Sequence, residues 1–300
     1  PIKRSITTLM TIEVRSTRGE YRAKRLEEDL YYLRYSNQKY SESELQVFFF
    51  YGFGEHLERY SYFADSLIQH FYNNKINLEV IVIDYPGHGK SSGARGHLSS
   101  FDDLALDFNH FILQHARGDY LLMGKGLGAL CVLQMFQDPY MLFDNRPKGG
   151  VLINPALKVK WKIPKFLEKL NIEGIGTFGK VRMPFRVDEA HVVDIGKGES
   201  SFDDDPLVSH HPTLSSFAQV QKAGHRLRTA SYYIDEPIFM AIKDKENHLF
   251  DNRISELFCR GLGQGALHQY SNYSYDNDVA NAMTDPMIED ILNWYKVSFT

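Results

Sequence analysis

The stretch that most constrains this chain is Leu121-Leu122-Met123-Gly124-Lys125-Gly126-Leu127-Gly128-Ala129, where an apolar run breaks into alternating glycines and then into a helical pattern. A short apolar run reads as a buried strand, and glycines placed between a strand and a helix permit a tight turn with close backbone contact. The stretch predicts a strand, a sharp turn and a helix.

The flanking sequence repeats this rhythm. Val47-Phe48-Phe49-Phe50-Tyr51-Gly52-Phe53-Gly54-Glu55-His56 reads as a buried strand ending in a glycine loop, with a helix pattern over Tyr60–Tyr72 behind it. Leu78–Tyr85 is a second apolar strand closed by the turn Pro86–Gly93. Phe101–His115 has apolar residues at helical spacing, with Ser99 or Ser100 placed to cap it and Asp102 and Asp103 suited to its N-terminus. Gly150–Pro155 is another buried strand. The rhythm resumes at Pro237–Ile242 and runs through a helix near Arg253–Gly261, a strand near Leu267–Tyr270 and a helix over Met287–Tyr295. Strands alternating with helices predict an α/β fold with a mostly parallel sheet and helices on both faces.

Two regions depart from this pattern. Residues 1–44 alternate apolar and polar side chains, as in Thr11-Ile12-Glu13-Val14-Arg15 and Leu30–Tyr35, the period of antiparallel strands. Residues 156–228 mix basic, glycine-rich and acidic pieces and read as an inserted cap. The expected organisation is N-terminal strands and an arm over 1–44, a first core part over 45–155, the cap over 156–228 and a second core part over 229–300.

With 300 residues, 43% of them hydrophobic, the chain can bury one large core. A formal charge of -4 gives a nucleic-acid partner no electrostatic support. Cys131 and Cys259 are too few for a disulfide framework and fall in helical patterns, where a thiol is a small core hydrophobe. No unbroken apolar segment of membrane length follows Pro1–Ser5, so no integral membrane segment is expected and a cytoplasmic location is favoured.

Several linked motifs carry a resemblance. Tyr51-Gly52-Phe53-Gly54-Glu55-His56, Asp84-Tyr85-Pro86-Gly87-His88-Gly89-Lys90-Ser91-Ser92-Gly93, Arg95-Gly96-His97 and Ser100-Phe101-Asp102-Asp103 occur in that order. Asp205-Pro206-Leu207-Val208 and Phe250-Asp251-Asn252-Arg253 follow. Together they resemble the monoglyceride lipases and bacterial lysophospholipases, S33-like α/β-hydrolases, over about residues 45–298. The resemblance implies the α/β-hydrolase fold with an inserted cap, and a serine, an acid and a histidine acting as a catalytic triad.

Position by position, that triad is depleted. The nucleophile of the G-x-S-x-G turn falls on Gly126, which has no side chain. The histidine position falls on Tyr275, and a phenol with an ordinary pKa of about 10 is a poor general base near neutrality. The acid falls on Glu246 when counted forward from Pro237, or on Asn247 when counted back from Phe250-Asp251-Asn252. Either way no complete relay can be assembled. The backbone amides of Phe53 and Leu127 correspond to the family's oxyanion hole, and Tyr51 stands beside them as a candidate binding residue.

Other features have plainer readings. Lys125 stands where the family often has histidine, and packing or solvent contact is preferred for it over nucleophilic chemistry. His210-His211 near Asp203–Asp205 lacks zinc-type spacing, so no metal or cofactor is expected. His56, His88 and His97 read as structural hydrogen-bonders. His268 lies too far before Tyr275 to replace the missing base. Trp161, Phe166, Phe178 and Phe185 would line an acyl tunnel or seal cap to core. The expectation is a pseudoenzyme of the lipase type that binds a small apolar or lipid-like ligand, or a protein partner, without hydrolysis. The alternative is an active serine ester or lipid hydrolase in which Gly126 replaces a serine. A third reading is an interaction protein whose pocket is filled by aromatic side chains above Gly126.

Overall fold

The computed structural model describes residues 11–37, 43–141, 145–160, 179–184, 186–187, 201–243, 250–263, 268–273 and 284–300. Eight strands form one sheet, β1 (Arg15–Ala23), β2 (Glu28–Ser36), β3 (Leu45–Phe50), β4 (Leu78–Ile83), β5 (Asp119–Lys125), β6 (Gly149–Ile153), β7 (Ile238–Lys243) and β8 (Gln269–Tyr273). Their spatial order is β1-β2-β4-β3-β5-β6-β7-β8. β3 to β8 pair in parallel, and the β1–β2 hairpin joins antiparallel through β2 and β4.

The central strands are apolar at almost every position because both faces are covered. Every residue of β3, β4 and β6 is buried, as expected of parallel strands lying between helices. Among the described residues, six helices supply the cover, α1 (Ser61–Asn73), α2 (Phe101–His115), α3 (Leu127–Gln137), α4 (Leu214–Leu227), α5 (Asn252–Arg260) and α6 (Thr284–Phe299). Five of them form two packed groups, α1 with α6, and α2 and α4 with α3, while α5 lies against β7 and β8. The predicted fold class holds, as does the α2 cap, where Ser100 Oγ accepts from the Asp103 amide at 3.1 Å.

The antiparallel hairpin is fastened by a buried polar cluster. Arg34 of β2 donates to Glu79 of β4 at 3.0 Å, Gln46 of β3 donates to the other Glu79 oxygen at 2.5 Å, and Gln46 accepts from the Arg117 amide at 2.6 Å. A slip of one residue would separate these groups inside the core, so the cluster fixes register. Thr11–Val14, expected to belong to a strand, are not in one. Arg15 pairs with Ser36, the last residue of β2, so the residues before Arg15 run past their partner's end.

Among the described residues between β6 and β7, no strand joins the sheet. Part of this insertion is sewn to the core loops. Ser209 donates its amide to the Gly54 carbonyl at 2.7 Å and Thr213 to the Gly96 carbonyl at 3.1 Å, while Ser216 Oγ accepts from the Leu98 amide at 2.7 Å. Asp205 accepts from Arg59 at 3.1 Å and stands 2.8 Å from His56 Nε2, with all three side chains buried.

Candidate functional site

The turn between β5 and α3 is built around three glycines. A Cβ on Gly124 would stand 2.5 Å from the Gly128 carbonyl oxygen, and one on Gly128 would stand 1.9 Å from the Phe50 oxygen. Only glycine lets β5, α3 and β3 approach this closely. Gly126 between them has φ 54 and ψ -110, a region costly for residues with a side chain. Its amide donates to the Ile153 oxygen at 3.0 Å and its carbonyl accepts from the Ala156 amide at 3.2 Å, which holds the turn from both sides.

The space at Gly126 itself is different. A Cβ there would lie 3.6 Å from Gly52 Cα and 3.8 Å from Cε2 and Cζ of Phe250, ordinary contact distances. The elbow therefore has room for a side chain, at a backbone angle that would strain one, and has none. The loop containing Phe53 passes directly beside it. Leu127 is the first residue of α3, where an amide has no intrahelical acceptor. Neither the Phe53 nor the Leu127 amide has a hydrogen-bond acceptor among the described residues.

Lys125 lies inside the molecule. Its ammonium donates to both Glu55 oxygens at 2.9 Å and to the Tyr60 hydroxyl at 3.0 Å, with the Lys125 and Glu55 side chains 5% and 2% exposed. Of the two roles open to it in the sequence, packing is the one realised. Tyr51 is fully buried and stacks on Tyr60 at 5.7 Å. Its hydroxyl donates to Asp84 Oδ1 at 2.7 Å, and its carbonyl accepts from the Gly128 amide at 3.1 Å and the Tyr85 hydroxyl at 2.6 Å. Tyr51 thus supports the elbow from beneath.

Asp84 also accepts from the Leu57 and Lys90 amides, each at 2.9 Å. Burial raises its pKa to about 6 even though these donors favour the carboxylate. His88 is held by the Pro86 carbonyl at 2.9 Å and faces the ring of Phe53 at 4.8 Å. Its other nitrogen is buried with no partner among the described residues, and burial lowers its pKa to about 4.

Cys131 is fully buried in α3, and burial raises its pKa. His97 meets Thr213 at 3.0 Å, and His268 is bound by the Gly263 oxygen at 2.8 Å. His210 is held by the Val187 oxygen at 3.0 Å, and no group of three His, Cys, Asp or Glu among the described residues is arranged to hold a metal. No helix among the described residues is long and apolar enough to cross a membrane. Glu246, Asn247, Tyr275, Trp161, Phe166, Phe178 and Phe185 lie outside the described residues.

Residues 41–274 match the family described as serine aminopeptidase, S33. The chain belongs to that family. No curated protein sequence matches it. Among solved structures it is similar to a monoacylglycerol lipase from Paleococcus ferrophilus, at 18% identity and a TM-score of 0.67, covering 94% of this chain and 100% of that one. A soluble variant of monoglyceride lipase from Saccharomyces cerevisiae gives 15% identity and a TM-score of 0.69, covering 97% of each chain. A thermostable carboxyl esterase from Bacillus coagulans gives 14% and 0.64, covering 95% of this chain and 99% of that one. At these identities the likeness establishes the α/β-hydrolase fold.

Two features of this S33 member escaped sequence reasoning. One is the Lys125–Glu55–Tyr60 cluster, for which Glu55 in the glycine-loop motif was the available signal. The other is Phe250, quoted above only as an alignment anchor, which turns out to be the aromatic neighbour of Gly126.

Proposed function

We propose that this chain is a non-hydrolytic member of its family that binds a small apolar or lipid-like molecule, or a protein partner, at the elbow. The observation that carries this reading is Gly126 itself, an elbow kept in its costly conformation with no nucleophilic atom at its tip. The neighbouring candidates offer no replacement. Lys125 is buried against Glu55 and Tyr60, and the Cys131 thiol is buried in α3 with burial disfavouring its thiolate. Catalysis through either would require a reactive atom within reach of a base and of substrate. The amides of Phe53 and Leu127, with no acceptor among the described residues, suit a carboxylate or ester oxygen without any need for turnover.

One observation favours the alternative of a serine hydrolase in which Gly126 replaces a serine. The 3.6–3.8 Å clearances leave room for that side chain, and the backbone angles are those of a strained nucleophile turn. Intact-mass measurement after treatment with a fluorophosphonate separates the readings. The chain as written gains no adduct. An adduct that maps to any residue of the β5–α3 turn would overturn the non-hydrolytic reading, and a serine codon at position 126 of the unmodified coding sequence would establish the alternative.

A further inference from the structure

A recess lies away from the elbow, where the start of α1 meets the β1–β2 hairpin. It holds about 320 Å³ and is lined, among the described residues, by Val14, Ser16, Tyr35, Ser61, Tyr62 and Asp65. β4 and β3 separate β2 from β5, which sets this recess about 14 Å across the sheet from the strand that leads into Gly126. Ser16 and Tyr35 are register partners in β1 and β2, and α1 packs on β2, so strand pairing and helix packing together fix the walls.

Tyr35 is the residue that marks this recess as a site. It is 6% exposed, and its hydroxyl has no hydrogen-bond partner among the described residues. The oxygen is not sealed inside the core, so it reaches the recess that its residue lines. A phenol this deeply buried ordinarily spends its hydroxyl on a partner in the protein. Burial, and after it the Glu58 carboxylate, push its ionisation well above the ordinary phenol range, which leaves a neutral group able to accept as well as donate.

The remaining polar groups give the recess one sign of charge. Asp65 accepts from Gln69 at 2.9 Å through Oδ2 and has no ion-pair partner among the described residues. Tyr62 is 37% exposed, and burial together with the Asp285 and Asp65 carboxylates raises its pKa, so both acids lie near its hydroxyl. No Lys, Arg or His is among the described lining residues. Nearby charges are spent elsewhere, Arg15 on Glu13 and Lys90 on Glu58, while Asp285 accepts from Ser66 at 3.1 Å. One unpaired carboxylate is too few ligands for a metal ion, but with phenol and serine oxygens and aromatic carbon around it the set suits a cation that carries N–H donors. We propose that this recess binds a small primary amine in its ammonium form, with the ammonium on Asp65 and the Tyr35 hydroxyl and the alkyl part against Val14 and the two tyrosine rings. At roughly 30 Å³ for each water-sized group the recess takes about ten such groups, which sets an upper size for the amine. The site is independent of the elbow and stands whether or not Gly126 marks a lapsed hydrolase.

The test follows the backbone amide resonances of the full chain during titration with n-butylammonium chloride at constant ionic strength, beside butan-1-ol, sodium butyrate and tetramethylammonium chloride. The proteins are the parent, Tyr35→Phe and Asp65→Asn. Butylammonium gives saturable shifts at Ser16, Ser61, Tyr62 and Asp65, while Phe53 and Leu127 at the elbow stay still. Butanol and butyrate give no saturable shift there, and tetramethylammonium, which has no N–H, binds several-fold more weakly. Tyr35→Phe removes one acceptor and weakens butylammonium binding about three- to tenfold. It leaves resistance to urea unchanged, because that hydroxyl has no partner among the described residues. Asp65→Asn weakens binding about tenfold or more, the loss of a charged partner. If Asp65→Asn loses its fold, Tyr35→Phe alone decides. Equal affinity for butanol overturns the proposal, since the recess would then be merely apolar, and saturable binding of butyrate overturns it by reversing the sign. Butylammonium affinity that is the same in the parent and in Tyr35→Phe overturns it too, as does the absence of any saturable shift at these residues in the parent.

Discussion

Replacing Lys125 by methionine is the perturbation whose size follows most directly from the packing. The substitution keeps an unbranched chain of similar length and removes the ammonium that donates to both oxygens of Glu55. Glu55 is 1% exposed, so its carboxylate would be left charged, buried and without that partner. Breaking a buried pair in this way costs about 3–5 kcal/mol. Glu55→Met leaves the ammonium buried without its carboxylate and costs a similar amount. The double variant removes both charges, and the remaining loss is that of the Tyr60 hydroxyl, which gives up its bond to Lys125. A buried hydroxyl deprived of a partner costs about 1–3 kcal/mol. The two single changes would sum to roughly 6–10 kcal/mol if they were independent, and the double variant falls short of that sum by at least about 3 kcal/mol. Urea unfolding followed by tryptophan fluorescence at constant pH and salt measures all four corners of the cycle. A Lys125→Met cost below about 1 kcal/mol, or a double variant equal to the sum of the singles, would refute the reading of Lys125 and Glu55 as a buried, mutually dependent ion pair.

Three further outcomes follow from the same packing. Gly54 has φ 90, and a Cβ there would stand 2.8 Å from the Ser209 oxygen. Gly54→Ala should therefore cost about 2–4 kcal/mol and make the 201–216 segment the first site of limited proteolysis; unchanged cleavage would mean that this segment is not held through Gly54. Gly126→Ser should fold, losing about 1–3 kcal/mol to backbone strain, and should gain no measurable esterase activity; a stability equal to the parent's would show that the turn is unstrained. His88 has a folded-state pKa of about 4, below the ordinary value of 6.5, so the unfolded chain takes up its proton first as the pH falls. The stability it contributes is complete above pH 6.5 and declines by about 3 kcal/mol on the way to pH 4. Asp84 acts with the opposite sign, because its folded pKa is raised from 3.8 to about 6 and the stability it contributes is complete below 3.8 and lost as the pH rises through 6. The two trends offset one another in the parent. The difference in stability between the parent and His88→Gln should therefore shrink by about 3 kcal/mol from pH 7 to pH 4, and a constant difference would show that His88 titrates as an exposed histidine does.

Much of the fold was legible because the signals were local. The buried strands declare themselves as apolar runs, and α2 announces both its start, through Ser100 and the two aspartates, and its length, through helical spacing. What stayed hidden depended on contacts across the chain. β1 is mostly exposed from Arg15 to Glu20, so it carries little alternation, and its place is set by pairing with β2. α4 is half polar with Gly224 near its end, and its buried side, Leu214, Phe217, Ala218, Ala223 and Leu227, with Gly224 close to the Ala156 oxygen, is fixed by packing against α3. At the site, the missing nucleophile could be read directly from Gly126. The partner of Lys125 could not, because Glu55 is 70 residues away and is brought to it by the adjacency of β3 and β5. Phe250 was likewise visible only as a motif letter until the bridge to Val159 placed it beside the elbow.

The most direct measurement of whether this elbow has lost hydrolysis is turnover of monoacylglycerol, lysophospholipid and short nitrophenyl esters. The chain as written is assayed beside the variant Gly126→Ser/Asn247→Asp/Tyr275→His. A lapsed hydrolase site predicts no turnover by the parent and a measurable gain in the triple variant, since a nucleophile, base and orienting acid are then supplied together. Clear turnover by the parent, abolished when Lys125 or Glu246 is replaced, would contradict the non-hydrolytic reading and assign the chemistry to residues other than the family's triad.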